Sequence, residues 1–194
     1  MGYEKVRQAF AGDALRRKKE PKITGRLVEN MNGVIQGRTA PDWVKVYHVQ
    51  EDVRLNYDGK EGNDRSYVDI VVTFCASSGP RRFFYFEAKN IKDSASLSTY
   101  LSDAGLGRLL SGYYARGHEH AGMLGYVQAG ACDDWATEVN NLLGQCREDY
   151  GLPPRGKYWS KRADVPELSS SYTSSHPRAE DCPKQIHPTF LLCS

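Results

Sequence analysis

Residues 67–90 read YVDIVVTFCASSGPRRFFYFEAKN. Two runs rich in Val, Ile, Phe and Tyr flank a Ser-Ser-Gly-Pro turn, the composition of a β-hairpin. Symmetry about Ser78 sets positions 69 and 87 opposite each other, so the pattern predicts Asp69 across the ladder from Glu87. Opposed residues share a face with Cα atoms ~4.5–5.5 Å apart, and strand alternation adds Lys89 to that face. Phe84, Phe86 and Ala88, with Ile70, Val72 and Phe74, are expected on the other face, in a core.

Two opposed carboxylates repel, and a hard divalent cation relieves the repulsion. Mg²⁺ takes carboxylate oxygens at ~2.0–2.1 Å, keeps waters and leaves room for a phosphate. Lys89 beside such an ion could orient or deprotonate a water, or offset charge on a phosphoryl group. The carbonyl of Ala88 is a further candidate ligand. These parts suit hydrolysis of a phosphodiester. The bare Asp/Glu-x-Lys spacing is weak evidence, since it recurs at Glu20-Pro-Lys22 and Asp58-Gly-Lys60. At 87–89 alone it ends an apolar strand whose hairpin partner carries an acid in register. On spacing alone, a solvated pair at a sheet edge stays an open reading.

Outward from the hairpin, residues 3–19 form a candidate helix ending in the basic run Arg16-Arg17-Lys18-Lys19, where positive charge suits the helix dipole. Pro21 fits the first turn of a second helix over about 21–36, with Ile23, Leu27, Met31 and Val34 at helical spacing. WVKVYHVQEDV, residues 43–53, alternates as a strand. After Lys89 the pattern predicts a short helix over roughly 102–115, then an apolar strand in AGMLGYVQAG, then a helix over about 133–149. The tail is Pro- and Ser-rich up to KQIHPTFLLCS, a last strand interrupted by Pro188; SSSYTSSH before it reads as strand or loop. The order α-β-β-β-α-β-α predicts an α/β protein with a mixed β-sheet flanked by helices. A single domain over 1–194 is expected, with its core at about 20–128 and an extension at about 129–194.

Composition sets bounds. Hydrophobic residues are 40% and charged residues 26% of 194, as in globular proteins. No run approaches the ~20 apolar residues of a membrane helix. MGYEKVRQAF lacks the apolar stretch of a secretory signal, and Val6 stands where a myristoylation pattern needs Ser or Thr, so a cytoplasmic protein is expected. Five cysteines with no CxxC pair read as buried, reduced thiols. A net charge of +2 does not announce nucleic-acid binding by itself. Arg81-Arg82 and the group Lys157, Lys161 and Arg162 read first as solvated charge.

VDIVV…FFYFEAKN resembles the core of the PD-(D/E)XK nuclease superfamily, the restriction-endonuclease-like fold. The resemblance covers about residues 20–128, with Val68 where the motif's name has proline. It implies that Asp69, Glu87 and Lys89 are the catalytic set and that Asp69, Glu87 and the Ala88 carbonyl hold Mg²⁺ or Mn²⁺. Folds of this kind often add a glutamate from the first core helix. Glu20 falls on the side of Ile23, Leu27 and Met31, whereas Glu29 points nearly opposite, which favours Glu20. The helix after the third strand often supplies a polar group. Arg108 fits there and could hold a phosphate bidentately, with Tyr113 and Tyr114 as stacking or hydrogen-bonding groups and Arg65 as a further phosphate contact. Core, rim or surface roles for these four stay open.

His118-Glu119-His120 lacks HExxH spacing and reads as a polar loop; His176 and His187 read as structural. The expectation is a metal-dependent endodeoxyribonuclease acting on DNA, as a homodimer or with partner subunits of a restriction or antiviral defence system, and without a membrane. The alternatives are a catalytically silent nucleic-acid-binding or assembly subunit, and a metal hydrolase built on the histidines.

Overall fold

Pro21 stands at the start of helix α1, Glu20–Ile35, where its missing N–H would have had no partner. The computed structural model describes residues 19–55, 59, 61, 64–75, 79–155, 158–161, 170–178, 182–183 and 185–193. The expected helix over 3–19 lies outside them apart from Lys19, as do Lys157 and Arg162. The described residues are α/β with a mixed sheet. No helix among them is long and apolar enough to cross a membrane. The chain falls into two compact units, Met1–Phe86 and Glu87–Ser194.

In the first unit α1 buries Ile23, Thr24, Leu27 and Val28. Asn32 Nδ2 ties it to β1 through the carbonyl of Val49, at 2.9 Å. Strands β1 (Tyr47–Arg54) and β2 (Tyr67–Phe74) pair antiparallel, and β2 pairs antiparallel with β3 (Arg82–Ile91). The β2–β3 partners run from Ile70↔Phe86 to Phe74↔Arg82, the register expected from symmetry about Ser78. Strand β3 continues across the unit boundary.

Three expectations need correction here. Strand β1 starts at Tyr47 instead of 43, because Pro41 and Asp42 start successive turns: Val44 N–H bonds Pro41 O, and Lys45 N–H bonds Asp42 O. Trp43 is left 71% exposed. Phe84, expected in the core, is 37% exposed, while Glu87 of the expected outer face is buried. Strand β2 buries Val68, Ile70, Val71 and Thr73, so residues of both parities are covered and simple alternation fails. Of the described cysteines, Cys75 and Cys146 are exposed and Cys132 and Cys182 half-buried. The free-thiol expectation stands for these four, and the burial expectation does not.

In the second unit the strand order is β3-β4-β8-β6-β5, with β7 on β8. Strand β4 (His120–Val127) runs parallel to β8 (Gln185–Cys193); β6 (Ser171–Thr173) and β7 (His176–Pro177) are antiparallel to β8, and β5 (Ser160–Lys161) is antiparallel to β6. All of β4 after His120 is buried, as expected of an interior strand with a parallel partner. Phe190 packs between Tyr100 and Trp159, with ring centroids at 6.2 and 4.6 Å. Pro188 does not interrupt β8, since the β6 ladder ends at Thr189 and the Pro188 carbonyl accepts from Thr173 Oγ1 at 3.1 Å.

The helix expected over 102–115 is instead two: α2 (Ser94–Leu101) and α3 (Leu106–Leu110). Asp93 and Ser96 cap α2 reciprocally, which starts it early. That contact, chiefly the bond from the Ser96 N–H, also lowers the Asp93 pKa. Gly105 then turns the chain so closely that a Cβ there would lie 2.1 Å from the Tyr100 carbonyl oxygen. Helix α4 covers Cys132–Gln145, four residues short of the expected end.

Candidate active site

The first unit contains a cavity of about 390 Å³ beside the N-terminus of α1. Glu20 and Asp69 both line it, together with Glu51, Asp52, Arg54 and Tyr67. Glu20 sits in the first turn of α1, where the helix dipole favours a carboxylate. Gly25 leaves room for the Glu51 carboxylate: an added Cβ would meet its Oε2 at 2.8 Å. Asp52 takes a left-handed φ of 51°, between the ladder pairs Glu51↔Ile70 and Val53↔Val68. Asp tolerates that region better than most residues. Arg54 lies 5.4 Å from the Tyr67 ring centre, and its Nη1 donates to the Arg65 carbonyl at 2.9 Å. The competitor glutamate, Glu29, is an exposed partner of Arg26.

The second unit holds a different arrangement. Glu87 is 1% exposed and is the one buried acidic residue among those described. Its Oε1 takes the Lys89 ammonium at 2.5 Å and Arg108 Nη1 at 3.2 Å. Lys89 also donates to the Ala88 carbonyl at 2.8 Å. Arg108 Nη1 donates to Tyr114 Oη at 2.6 Å, and the guanidinium lies 5.3 and 5.7 Å from the ring centres of Tyr114 and Tyr113. Burial alone would pull the Arg108 pKa down; Tyr114, then Glu87 and Tyr113, outweigh it and hold it above the ordinary value. Arg108 reaches Glu87 from α3, a separate helix started by Gly105, not from a continuous helix over 102–115.

Arg178 supports this cluster from the tail. Its guanidinium donates to the carbonyls of Tyr114, Ala115 and His118, clamping a turn in which Ala115 has a φ of 52°. Burial, with Arg178 nearby, lowers the His118 pKa. His120 is not in a loop but begins β4.

Sequence reasoning missed Glu51, Asp52, Arg54, Tyr67 and Arg178. Two consecutive acids interrupting the β1 alternation were a usable signal for the first pair; nothing local marks Arg178. Among the described residues no group of three or more His, Cys, Asp or Glu side chains is arranged to hold a metal ion. Carboxylates and a carbonyl are nonetheless the hard oxygen donors Mg²⁺ takes, commonly one or two carboxylates with water completing the shell. Asp69 in the first unit and Glu87 with the Ala88 carbonyl in the second are each donors of that hard oxygen type. No protein-family model, curated protein or solved structure matches the chain.

Proposed function

We propose that the protein is a metal-dependent endodeoxyribonuclease with a restriction-endonuclease-like core. The observation that carries this reading is the buried Glu87 carboxylate bonded to both Lys89 and Arg108. It joins an acid and an amine of the second half of strand β3 to a guanidinium of α3. The described β2–β3 pairs reach Ile70↔Phe86, the register in which the sequence sets an acid at 69 and an acid at 87.

In this reading Asp69 and Glu87, with the Ala88 carbonyl, hold Mg²⁺ or Mn²⁺, and the bound ion supplies an activated water and stabilises phosphoryl charge. Lys89 passes from Glu87 to the attacking water or the scissile phosphate. Arg108, oriented by Tyr114, grips a phosphate. Tyr113 and Arg65 flank the nucleic acid, and Glu20 adds a further carboxylate. The setting is a cytoplasmic restriction or antiviral system acting on DNA, with a second copy or partner subunits.

Supercoiled plasmid incubated with the protein and Mg²⁺ or Mn²⁺ tests this. Nicking that EDTA stops, and that falls about 10²–10⁴-fold in Lys89→Ala, is expected. Wild-type protein that cuts neither DNA nor RNA with either metal overturns it. One observation favours a second reading, a silent binding or assembly subunit. Lys89 and Arg108 both close on Glu87, and Lys89 also closes on the Ala88 carbonyl, so the acid is already matched by two cations. DNA retention without cleavage supports that reading.

A further inference from the structure

We propose that the second unit carries a separate site for a borderline divalent transition metal, such as Zn²⁺ or Ni²⁺, between His120 and His187. The two residues are direct partners in the parallel β4–β8 ladder, so their side chains leave neighbouring strands on one face. Their ring centroids are 5.7 Å apart with the planes tilted by 36°. One nitrogen from each ring bound at ~2.0–2.1 Å spans a separation of that order.

The two imidazoles line a cavity of about 440 Å³ with the hydroxyl-bearing Tyr158, Ser160, Thr173 and Ser175. There is room for waters to complete a coordination shell. Among the described residues its lining contains no Lys or Arg to repel a cation and no Asp or Glu to recruit a hard one. Imidazole nitrogen as the strongest donor selects Zn²⁺, Ni²⁺ or Cu²⁺ over Mg²⁺. His120 is exposed and His187 half-buried, so an ion can enter without opening the fold. The bound ion cross-links strands 67 positions apart in sequence, from 120 to 187, and stabilises the folded form by mass action. The site does not depend on the carboxylates at 69 and 87.

Calorimetric titration of the full chain with Ni²⁺, in excess Mg²⁺ to occupy hard sites, is the test. One Ni²⁺ per chain is expected, with affinity falling more than about tenfold in His120→Ala and in His187→Ala and unchanged in His118→Ala. In the wild-type protein, the imidazole ¹⁵N resonances of His120 and His187 should shift together on adding Zn²⁺, a readout that needs no variant. Three results overturn the site: no Ni²⁺ uptake by wild type, wild-type affinity in either His120→Ala or His187→Ala, or imidazole resonances that do not respond.

Discussion

In the first unit four carboxylates, Glu20, Glu51, Asp52 and Asp69, line a cavity with Arg54 among them; in the second a single carboxylate, Glu87, is buried between two cations. The contrast follows from solvation. Acids around an open cavity keep water and tolerate one another, whereas an acid at 1% exposure must be held by hydrogen-bonded charge. The same residue type therefore carries opposite consequences for stability. The first group lines a solvent-filled cavity, and the second is already part of the fold.

Mutations should separate the two regions. Glu87→Ala removes the shared acceptor of Lys89 and Arg108 and is expected to cost about 1–3 kcal/mol in urea unfolding. Glu87→Gln, which keeps an acceptor, should cost less; equal costs would place the loss in packing and not in charge. Gly105→Ala drives a Cβ into the Tyr100 carbonyl and should cost about 1–3 kcal/mol, displacing Arg108 and with it the tyrosine pair. A wild-type-like melt would show that α3 can shift without penalty.

His176 gives a pH-dependent comparison inside the second unit. It is fully buried, with Nε2 2.6 Å from Ser174 Oγ and Nδ1 3.0 Å from the Tyr150 carbonyl. Burial lowers its pKa below 6.5; the Tyr150 bond opposes this and His187 adds to it. The folded state thus binds the proton less readily than the unfolded one. Stability from this group is complete above pH 6.5 and declines as pH falls from there through the lowered folded value. His176→Gln should flatten that part of the curve of melting temperature against pH, and an unchanged slope would assign it to other groups. At the small end, Glu20→Gln in the open cavity should change stability by no more than about 0.5 kcal/mol. A loss of several times that would mean the acid holds α1 in place.

The hairpin was readable because its information is local. A turn, two apolar runs and a midpoint at 78 suffice to set which residues pair, and the described ladder follows that register. Helix α1 was readable for the same reason, through Pro21 and the Ile23 and Leu27 spacing. The split at Gly105 was not, because glycine reads only as weak propensity until the Tyr100 carbonyl is seen to fill the space of its absent Cβ. The Asp93–Ser96 cap, which starts α2 ahead of the expected helix, is a local signal that the expected bounds of 102–115 did not use. Arg178 could not be read at all, since its partners are carbonyls 60 to 64 positions away, at Tyr114, Ala115 and His118. Pairing was legible from the turn, but the side-chain direction was not, since Glu87 of the expected outer face is buried and Phe84 of the expected core is exposed. Residues placed by long-range packing were not legible either.

Mn²⁺ binding by the full chain, followed through the free-ion electron paramagnetic resonance signal, tests the central claim most directly. The proposed function predicts a bound Mn²⁺ that is lost in Asp69→Asn and equally in Glu87→Gln, and retained in Glu29→Gln. Undiminished Mn²⁺ binding in either of the first two variants would contradict it.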